Sequence, residues 1–253
     1  MQYASLGSGS AGNATLISHQ DTRLLLDCGF SLGETQKRLA KLQVMPEQLD
    51  AILVTHEHSD HVRGVGPLAR KYRIPVYLTR GTYSQAKLGA LAAPTFIDSH
   101  QRFAINDIEI EPVPVPHDAR EPCQFIFHDG QVSLGVLTDL GSITPFVVQC
   151  YRRLDALLLE CNHDVGMLDA GPYPYSVRQR IKGDFGHLSN VQAASFLQQI
   201  ELSALKHVVI SHISRQNNTT ELAVQALDGV IDCGPEFLTV ADQALGFGWR
   251  TVD

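Results

Sequence analysis

The segment from Val54 to Gly64 constrains the fold of this chain more than any other, because it collects histidines and a carboxylate at short intervals. Its candidate ligands are His56, His58, Asp60 and His61. An apolar run precedes them and apolar residues at helical spacing follow, so the pattern predicts a buried strand that enters a helix through a short loop. Side chains two residues apart in extended backbone point the same way, so His56 and His58 can face one point. Asp60 and His61 can face a second point nearby, and such donors suit two divalent ions better than one.

The simpler interpretation is that histidines gather in a polar loop without a shared purpose. Four titratable groups this close would be costly without a cation to unite them, so we favour a metal site. The motif of the zinc proteases is excluded. That motif needs two histidines one helical turn apart with a Glu after the first, whereas these histidines lie two residues apart.

The His-x-His-x-Asp-His pattern resembles the metallo-β-lactamase fold superfamily, which places a further His, a bridging Asp and a last His at later strand ends. The chain supplies each of them after an apolar run, at His117, Asp139 and His212. A lone His or Asp at a strand end is more often a cap or a surface residue. The joint placement of the three is what favours metal binding.

The resemblance implies a ligand set for two metal ions. His56, His58 and His117 would hold the first ion. Asp60, His61 and His212 would hold the second, with Asp139 as the bridge. Two ions about 3.5–4 Å apart would share a hydroxide that is ready for in-line attack near neutral pH. Nitrogen and oxygen donors permit zinc, manganese or iron.

Two segments before this motif have both a functional and a plain interpretation. Asp27 resembles the superfamily carboxylate that orients a metal-binding histidine from behind, and it would serve equally well as the cap of the helix that we expect from Ser31. The loop around Ser8 and Asn13 is rich in Gly and Ser, as flexible hairpin loops are. Its backbone amides and those two side chains could also donate to a substrate phosphate.

The order of predicted elements indicates the fold. Strand and helix patterns, with helices expected over residues 31–42 and 82–91, form two halves that each carry strands, helices and candidate ligands. This order predicts an α/β protein of two packed sheets with helices outside. By resemblance it is the αββα four-layer sandwich of the metallo-β-lactamase fold, with two mixed sheets. No linker divides the chain, so residues 1–253 are predicted to form a single domain.

Composition narrows the class of protein. With 44% hydrophobic and 19% charged residues, the chain is ordinary for a soluble globular protein. No apolar stretch is long enough for a membrane span and no signal peptide opens the chain, so we expect a cytoplasmic enzyme. The net charge of −7 speaks against broad adhesion to nucleic acid. Bound divalent cations would reverse that sign locally.

The segment from Arg178 to Asn190 bears on the substrate. A Gly-led His at His187, followed by a helix start, resembles the ribonuclease Z-related phosphodiesterase branch. In that branch this His donates a proton to the leaving oxygen, and Glu160 at the end of a buried strand would orient it. A helix-entry residue with no catalytic role is the plain alternative for His187. Arg178, Arg180 and Lys182 could grip phosphates or form a solvated helix face.

A narrower resemblance covers nearly the whole chain. The motifs are Gly7–Asn13, Thr55–His61, Glu160–Asp164, Gly171–Pro174, Gly186–Asn190 and Ser211–Asn218. Together they resemble the YycJ/WalJ-like branch. The resemblance implies a metal-dependent nuclease with 5′-to-3′ exonuclease activity on double-stranded DNA, so DNA rather than RNA is the expected partner, with Asp60, Glu160 and His187 in catalysis. Arg215, which follows the last ligand, joins the candidate substrate contacts.

The role of His163 stays open at this stage. It could contact substrate, supply a proton, or replace His212 as the seventh ligand. We favour His212 as the ligand, because its strand and the residues after it match the last ligand of the branch. His163 is then placed near the pocket as a candidate substrate contact.

Two other functions compete with a nuclease. An enzyme for a small phosphorylated or thioester metabolite could use the same ligands, and the acidic composition favours it mildly. Alternatively, the metals could only stabilise the fold of a protein that binds a partner. Structural zinc sites are usually single and closed, so a pair of ions with an open position argues against that second alternative.

Overall fold

The computed structural model describes residues 1–92, 94–231 and 237–253. The chain divides into two compact units, and strands and helices are numbered along the chain. The first unit comprises Met1–Pro114, Ala119–Val132 and Asp242–Asp253, and the second comprises Val115–Asp118 and Ser133–Ala241.

A seven-stranded mixed sheet lies within the first unit. Its strands are β1 (Gln2–Gly7), β2 (Ala14–His19), β3 (Thr22–Leu26), β4 (Ala51–Leu53), β5 (Val76–Leu78), β6 (Pro94–Phe96) and β14 (Phe247–Thr251). The order is β14-β1-β2-β3-β4-β5-β6, antiparallel from β14 to β3 and parallel from β3 to β6. β4 is wholly apolar and buried, as a parallel strand in the middle of a sheet must be.

Helices and a further ladder complete the described part of this unit. They are α1 (Leu32–Lys41), α2 (Ser59–Val62), α3 (Val65–Tyr72) and α4 (Arg80–Gln85), the strands β7 (Phe103–Ile105), β8 (Ile108–Pro114) and β9 (Cys123–His128), and a 3-10 turn at Pro46–Gln48. Ser31 caps α1 through a bond from the Glu34 amide. Leu39 of α1 and Leu68 of α3 join the buried core that contains Leu25 and Ile52, where each fully buried aliphatic side chain contributes about 1.5–3 kcal/mol.

Parallel strands form the centre of the second unit. They are β10 (Ser133–Leu137), β11 (Ala156–Glu160), β12 (His207–Ser211) and β13 (Leu238–Val240), accompanied by α5 (Pro145–Cys150), α6 (Val165–Ala170), α7 (Tyr175–Lys182), α8 (Asn190–Leu197), α9 (Thr220–Asp228) and a 3-10 turn at Leu202–Ala204. Leu137 pairs with Leu159, and Glu160 pairs with Ser211. The carboxyl ends of β10, β11 and β12 therefore lie at one edge, where ligands bind in sheets of this kind.

One predicted helix is shorter than its sequence pattern indicated. The helix expected over residues 82–91 ends at Gln85 in the structure. Beyond it, the Arg70 guanidinium donates to the carbonyls of Leu88 (2.6 Å) and Ala90 (3.3 Å), and Gly89 has a φ of 69°. A left-handed residue cannot continue a right-handed helix, so this contact with α3 overrides the local propensity of the segment.

Within the described residues, none of the helices combines the length and the apolar character that crossing a bilayer requires.

Gly29 allows the chain to fold closely around the histidine-rich loop. Its amide donates to Asn13 O (2.9 Å), and the neighbouring Cys28 amide donates to His61 O (2.8 Å). A Cβ added at Gly29 would lie 1.7 Å from Asp60 O and 2.7 Å from Asn13 N. Only glycine fits at this position, because both of those neighbours are backbone atoms.

We therefore expect Gly29→Ala to lower the free energy of unfolding by about 1–3 kcal/mol or more, as overpacking of a closed core does. Urea denaturation measures this change. Gly33→Ala is the matched control, because a Cβ there meets nothing within 4 Å and Ala in a helix is better than Gly by about 0.5–1 kcal/mol. If Gly29→Ala and the parent have the same free energy of unfolding, the backbone around Gly29 can accommodate a Cβ atom without loss of stability, and the prediction is wrong.

Candidate metal centre

The histidines of the first unit gather at the end of β4. His56 and His61 are fully buried, and the His56 ring centroid lies 4.5 Å from that of His58 and 4.2 Å from that of His61. His58 occupies the N-cap position of α2, which turns the chain so that Asp60 and His61 follow on the first helical turn. The structure thus brings together the three histidines of the motif, which the sequence predicted to face two neighbouring points.

Asp27 holds His61 in place from behind. Its carboxylate accepts the Thr55 amide (2.9 Å) and the Thr55 hydroxyl (2.8 Å), and it pairs with His61 Nδ1 at 2.7 Å. A carboxylate on Nδ1 fixes the tautomer that leaves Nε2 to bind a metal. The alternative of a helix cap is wrong for Asp27, because Ser31 caps α1.

The glycine-rich loop before β2 contacts the ligand loop through Asn13. The Asn13 side-chain amide lies 3.0 Å from His61 Nε2 and 3.4 Å from Asp60 Oδ2. Its own oxygen accepts the Gly9 amide (2.7 Å) and the Ser8 hydroxyl (3.3 Å). Ser8 and Asn13 are both buried, so this loop supports Asp60 and His61. The predicted contact of Ser8 and Asn13 with substrate stays a prediction.

The second unit gathers its own set of ligand-type side chains. Asp139 follows β10, Glu160 is the last residue of β11, and His212 directly follows β12. With His187 they offer four ligand atoms that all lie within 4.8 Å of one another. His212 Nδ1 is 2.8 Å from Asp139 Oδ2, and His187 Nδ1 is 2.8 Å from Glu160 Oε1.

His117 lies beside the same group. Its ring centroid is 5.3 Å from that of His187, and its Nδ1 is 3.1 Å from Gly186 O. A bond from Nδ1 to a backbone carbonyl leaves Nε2 as the ligand atom. Within the second unit, the structure therefore places together five of the side chains that the sequence singled out for metal or proton chemistry.

Strained backbone marks three of these positions. Asp27 has a φ of 58°, and Asp139 and His212 each have a φ of 53°. Non-glycine residues in this left-handed region cost of order 1–3 kcal/mol each and cluster at functional sites. Each of the three follows a strand directly or within two residues, so the turn redirects the side chain as the strand ends.

The carboxylates raise the proton affinity of the histidines that they face. Burial disfavours the charged form of His187, but the charge of Glu160 and its hydrogen bond outweigh burial and raise the pKa of His187 to about 9. Burial also opposes charging of His212, and Asp139 overcomes it and raises the pKa of that histidine. The raised pKa favours the imidazolium form of His187, which is the form that can donate a proton.

His163 belongs to the same unit but has the opposite electrostatics. It is buried, and its carbonyl accepts the Asn190 amide at 2.9 Å. Burial lowers the pKa of His163 to about 4, with Glu160 opposing and His187 reinforcing that shift. The lowered pKa favours the neutral form of His163 at physiological pH, in contrast to His187.

The basic residues of α7 are held by acidic or carbonyl partners. Arg180 Nε lies 2.5 Å from Asp118 Oδ2. Arg178 donates to the carbonyl of Asp169, and Lys182 pairs with its carboxylate. Arg215 is exposed. Asp118 also lies 3.5 Å from His117 Nε2 through its Oδ1, so it links Arg180 to one of the histidines. The predicted grip of these cations on phosphates stays a prediction.

Two residues of this network escaped the sequence interpretation. Thr55 bridges the site with its hydroxyl, which lies 3.0 Å from His56 Nδ1 and 3.3 Å from His61 Nδ1. The position of Thr55 directly before the first histidine of the motif could have indicated that it contacts the site. Asp118, which holds Arg180, directly follows His117, but its partner is distant in sequence and no local pattern pointed to it.

The donor set fits divalent cations. Imidazole nitrogens and carboxylate oxygens suit zinc, manganese and iron. Asp139 and Glu160 are buried in one group with His187 and His212, and buried charges are paired or coordinate metals. The metal-binding character of these clusters follows from this chemistry.

Comparisons with known proteins agree with this chemistry. The family model described as "Beta-lactamase superfamily domain" matches residues 22–213. "Exodeoxyribonuclease YycJ" of Bacillus anthracis is 35% identical over 92% of this chain and 89% of its own length. "Exodeoxyribonuclease WalJ" of Streptococcus pneumoniae serotype 2 (strain D39 / NCTC 7466) is 36% identical over 100% of this chain and 93% of its own length.

A solved structure shows the fold. The metallo-beta-lactamase fold protein YhfI from Bacillus subtilis superposes with a TM-score of 0.76 at 17% identity, over 99% of each chain. The predicted fold class, an α/β protein of the metallo-β-lactamase type, is confirmed by this likeness.

Glu160→Gln tests the origin of the raised proton affinity of His187. We expect the pKa of His187 to fall from about 9 towards its ordinary value near 6.5, because the neutral amide no longer stabilises the imidazolium. NMR titration of the His187 ring in metal-free protein measures the change. Glu111→Gln, which alters a carboxylate in the other unit, should leave that titration in place.

The same pair contributes stability with a defined pH dependence. Because the folded pKa of His187 lies above its unfolded value, the contribution is complete below about pH 6.5 and is lost as the pH rises through about 9. Glu160→Gln should remove this dependence. An unchanged His187 titration in that variant would contradict the assignment to Glu160.

Proposed function

This chain belongs to the β-lactamase superfamily, and from that premise we propose that it is a metal-dependent exodeoxyribonuclease. The observation that carries the proposal is the bond between buried Glu160 and His187, which keeps a protonated acid within a group of metal-ligand side chains. The two relatives that match nearly the whole chain are both named exodeoxyribonucleases. They favour a nucleic-acid substrate over the small metabolite of the competing hypothesis.

The proposed ligand set follows the order of the superfamily motif. His56, His58 and His117 would hold one divalent ion. Asp60, His61 and His212 would hold the other, and Asp139 would contribute to both. When bound, such ions activate water for attack and neutralise the charge of a phosphodiester. Zinc and manganese, with iron as a further option, match the nitrogen and oxygen donors.

His187 supplies the proton for the leaving group. Phosphodiester cleavage expels an alkoxide of high pKa, so a positioned acid contributes substantially, typically about 10²–10⁴-fold. Glu160 orients the ring through Nδ1 and maintains its charge, so the donated proton leaves from Nε2. The Glu160 carboxylate also accepts the Leu188 amide at 3.0 Å and the Leu140 amide at 3.3 Å, which fixes the carboxylate itself.

The substrate assignment extends to DNA ends. The proposed activity removes nucleotides in the 5′-to-3′ direction, as the branch resemblance implies. Ser8, Asn13, His163, Arg178, Arg180 and Arg215 are the proposed substrate contacts. Arg178 and Arg180 lie on α7, the helix that directly precedes the His187 loop, and this location supports a role beside the cleaved phosphate.

His187→Ala tests the acid. We expect it to keep the parent's metal content but to lose about 10²–10⁴-fold in turnover, measured with manganese-loaded protein on end-labelled duplex DNA. His100→Ala is the matched control, because the His100 side chain is 69% exposed and has no proposed role. Turnover of His187→Ala at the parent's rate would refute the acid assignment.

Asp60→Asn tests the metal set separately. It removes a negatively charged ligand, so both metal content after reconstitution and DNA degradation should fall together. Elemental analysis measures the first and the DNA assay the second. Hydrolysis by the parent that withstands chelators would overturn the metal-dependent mechanism.

A further inference from the structure

The Phe185 side chain is the exposed aromatic group that lies nearest in the chain to the proposed acid. It is 62% exposed and precedes His187 by two residues in the segment Gly183–Asp184–Phe185–Gly186–His187. A single exposed hydrophobic residue needs no explanation in general. Phe185 differs from such residues because the backbone of both neighbouring residues, Asp184 and Gly186, is fixed by hydrogen bonds.

Hydrogen bonds and close packing fix this loop. The Gly186 amide donates to Gly183 O at 2.7 Å, and the His187 amide donates to Ile181 O at 2.9 Å. The Ser142 hydroxyl donates to Asp184 O at 3.0 Å. Phe185 therefore stands on a backbone that is tied on both sides of it, so its ring is presented to solvent with little backbone freedom.

The glycines of this region show how closely the loop is packed. A Cβ at Gly186 would lie 2.2 Å from Ile181 O and 2.3 Å from Arg180 O, and a Cβ at Gly141 would lie 2.3 Å from Gly186 N. Gly141 and Gly186 thus allow backbone to pack against backbone on both sides of the loop. The backbone of the loop is closely packed, yet the Phe185 ring remains exposed to solvent. Packing of the protein core therefore does not explain why a large apolar residue stands here.

On the basis of the proposed nuclease function, we propose that Phe185 stacks on the terminal nucleobase of the DNA end that is being cleaved. Two residues of chain span at most about 7 Å along the backbone, which is about the length of one nucleotide. The Phe185 backbone therefore lies close to the phosphate whose leaving oxygen His187 would protonate. A DNA end offers a base with one free π face. A pre-positioned aromatic ring binds such a face without choosing among the bases.

Phe185 would recognise the DNA end through its terminal base, whereas the phosphate contacts of α7 would act anywhere along a strand. Phosphate contacts position a nucleic acid but do not distinguish a terminus from the interior. An interior base pair has both faces covered by its neighbours. Phe185 therefore makes a terminal nucleotide the preferred substrate of this site.

A double-mutant cycle that combines a protein substitution with a substrate modification tests the contact between Phe185 and the terminal base. Parent and Phe185→Ala, both loaded with manganese, are compared on duplex DNA whose terminal nucleotide is intact or lacks its base. We expect Phe185→Ala to lower kcat/KM on the intact end by about 5- to 150-fold. Removal of the base should cost the parent a similar factor and should cost Phe185→Ala little, as a cycle on one contact requires.

Two further variants separate stacking from loss of bulk. Phe185→Trp should retain the parent's kcat/KM on the intact end, and Phe185→Leu should fall between the parent and Phe185→Ala. Phe146→Ala is the matched control, because Phe146 is 44% exposed and lies on α5, outside the loop. Equal losses on intact and abasic ends, or equal losses in Phe146→Ala and Phe185→Ala, would overturn the proposal.

A binding measurement decides the inference even if the proposed catalysis fails. DNA with 2-aminopurine at its terminus is titrated with manganese-loaded His187→Ala and with the double variant His187→Ala, Phe185→Ala. Stacking by Phe185 predicts quenching of the fluorophore by the first protein and loss of that quenching in the second. Identical fluorescence with both proteins would refute the contact. A parent that binds DNA in this way without degrading it would refute the proposed function alone.

Discussion

Buried pairs of a carboxylate and an imidazole are the interactions on which the proposed chemistry depends. Asp27 with His61 lies in the first unit, and Asp139 with His212 and Glu160 with His187 lie in the second. A buried carboxylate costs several kcal/mol unless other groups satisfy it. Asp27 accepts hydrogen bonds from the amide and hydroxyl of Thr55, and Glu160 accepts hydrogen bonds from two backbone amides. These bonds offset the cost of burial. The histidines are therefore held by groups that are themselves fixed.

The same strand ends carry the strain of the fold. Asp27, Asp139 and His212 adopt left-handed backbone, and this conformation is stable only where the surrounding packing enforces it. In the first unit the enforcing contact is the Asp27 amide bond to Leu53 O at 2.8 Å. In the second unit, parallel pairing of β11 with β12 up to Glu160 and Ser211 fixes where His212 begins. The local cost of each turn is offset by the cooperative pairing of the strands behind it.

The sequence was sufficient to predict the parts of the site that depend on strand ends. Apolar runs mark where buried strands stop, so the positions of Asp139, Glu160 and His212 could be read from their neighbours. Contacts between segments that are distant in the chain could not be predicted in this way. Arg70 ends the helix predicted through Leu91 by bonding to carbonyls beyond Gln85, and Asp118 pairs with Arg180 across a separation of 62 residues. Local patterns carry no information about such partners.

The proposed role of the α7 cations would explain how an acidic chain binds the polyanionic substrate that we propose. Exposed ion pairs such as Arg180 with Asp118 contribute only about 0–1 kcal/mol, because water competes for both partners. A phosphate that approaches Arg180 exchanges one anionic partner for another and can bind in a fork geometry. The acidic partner is therefore compatible with the proposed phosphate binding, and it would position the guanidinium before the substrate arrives. Because the chain carries a net charge of −7, we propose that the cations of α7 and the exposed ring of Phe185, which precede the proposed acid in the chain, confine DNA binding to this region.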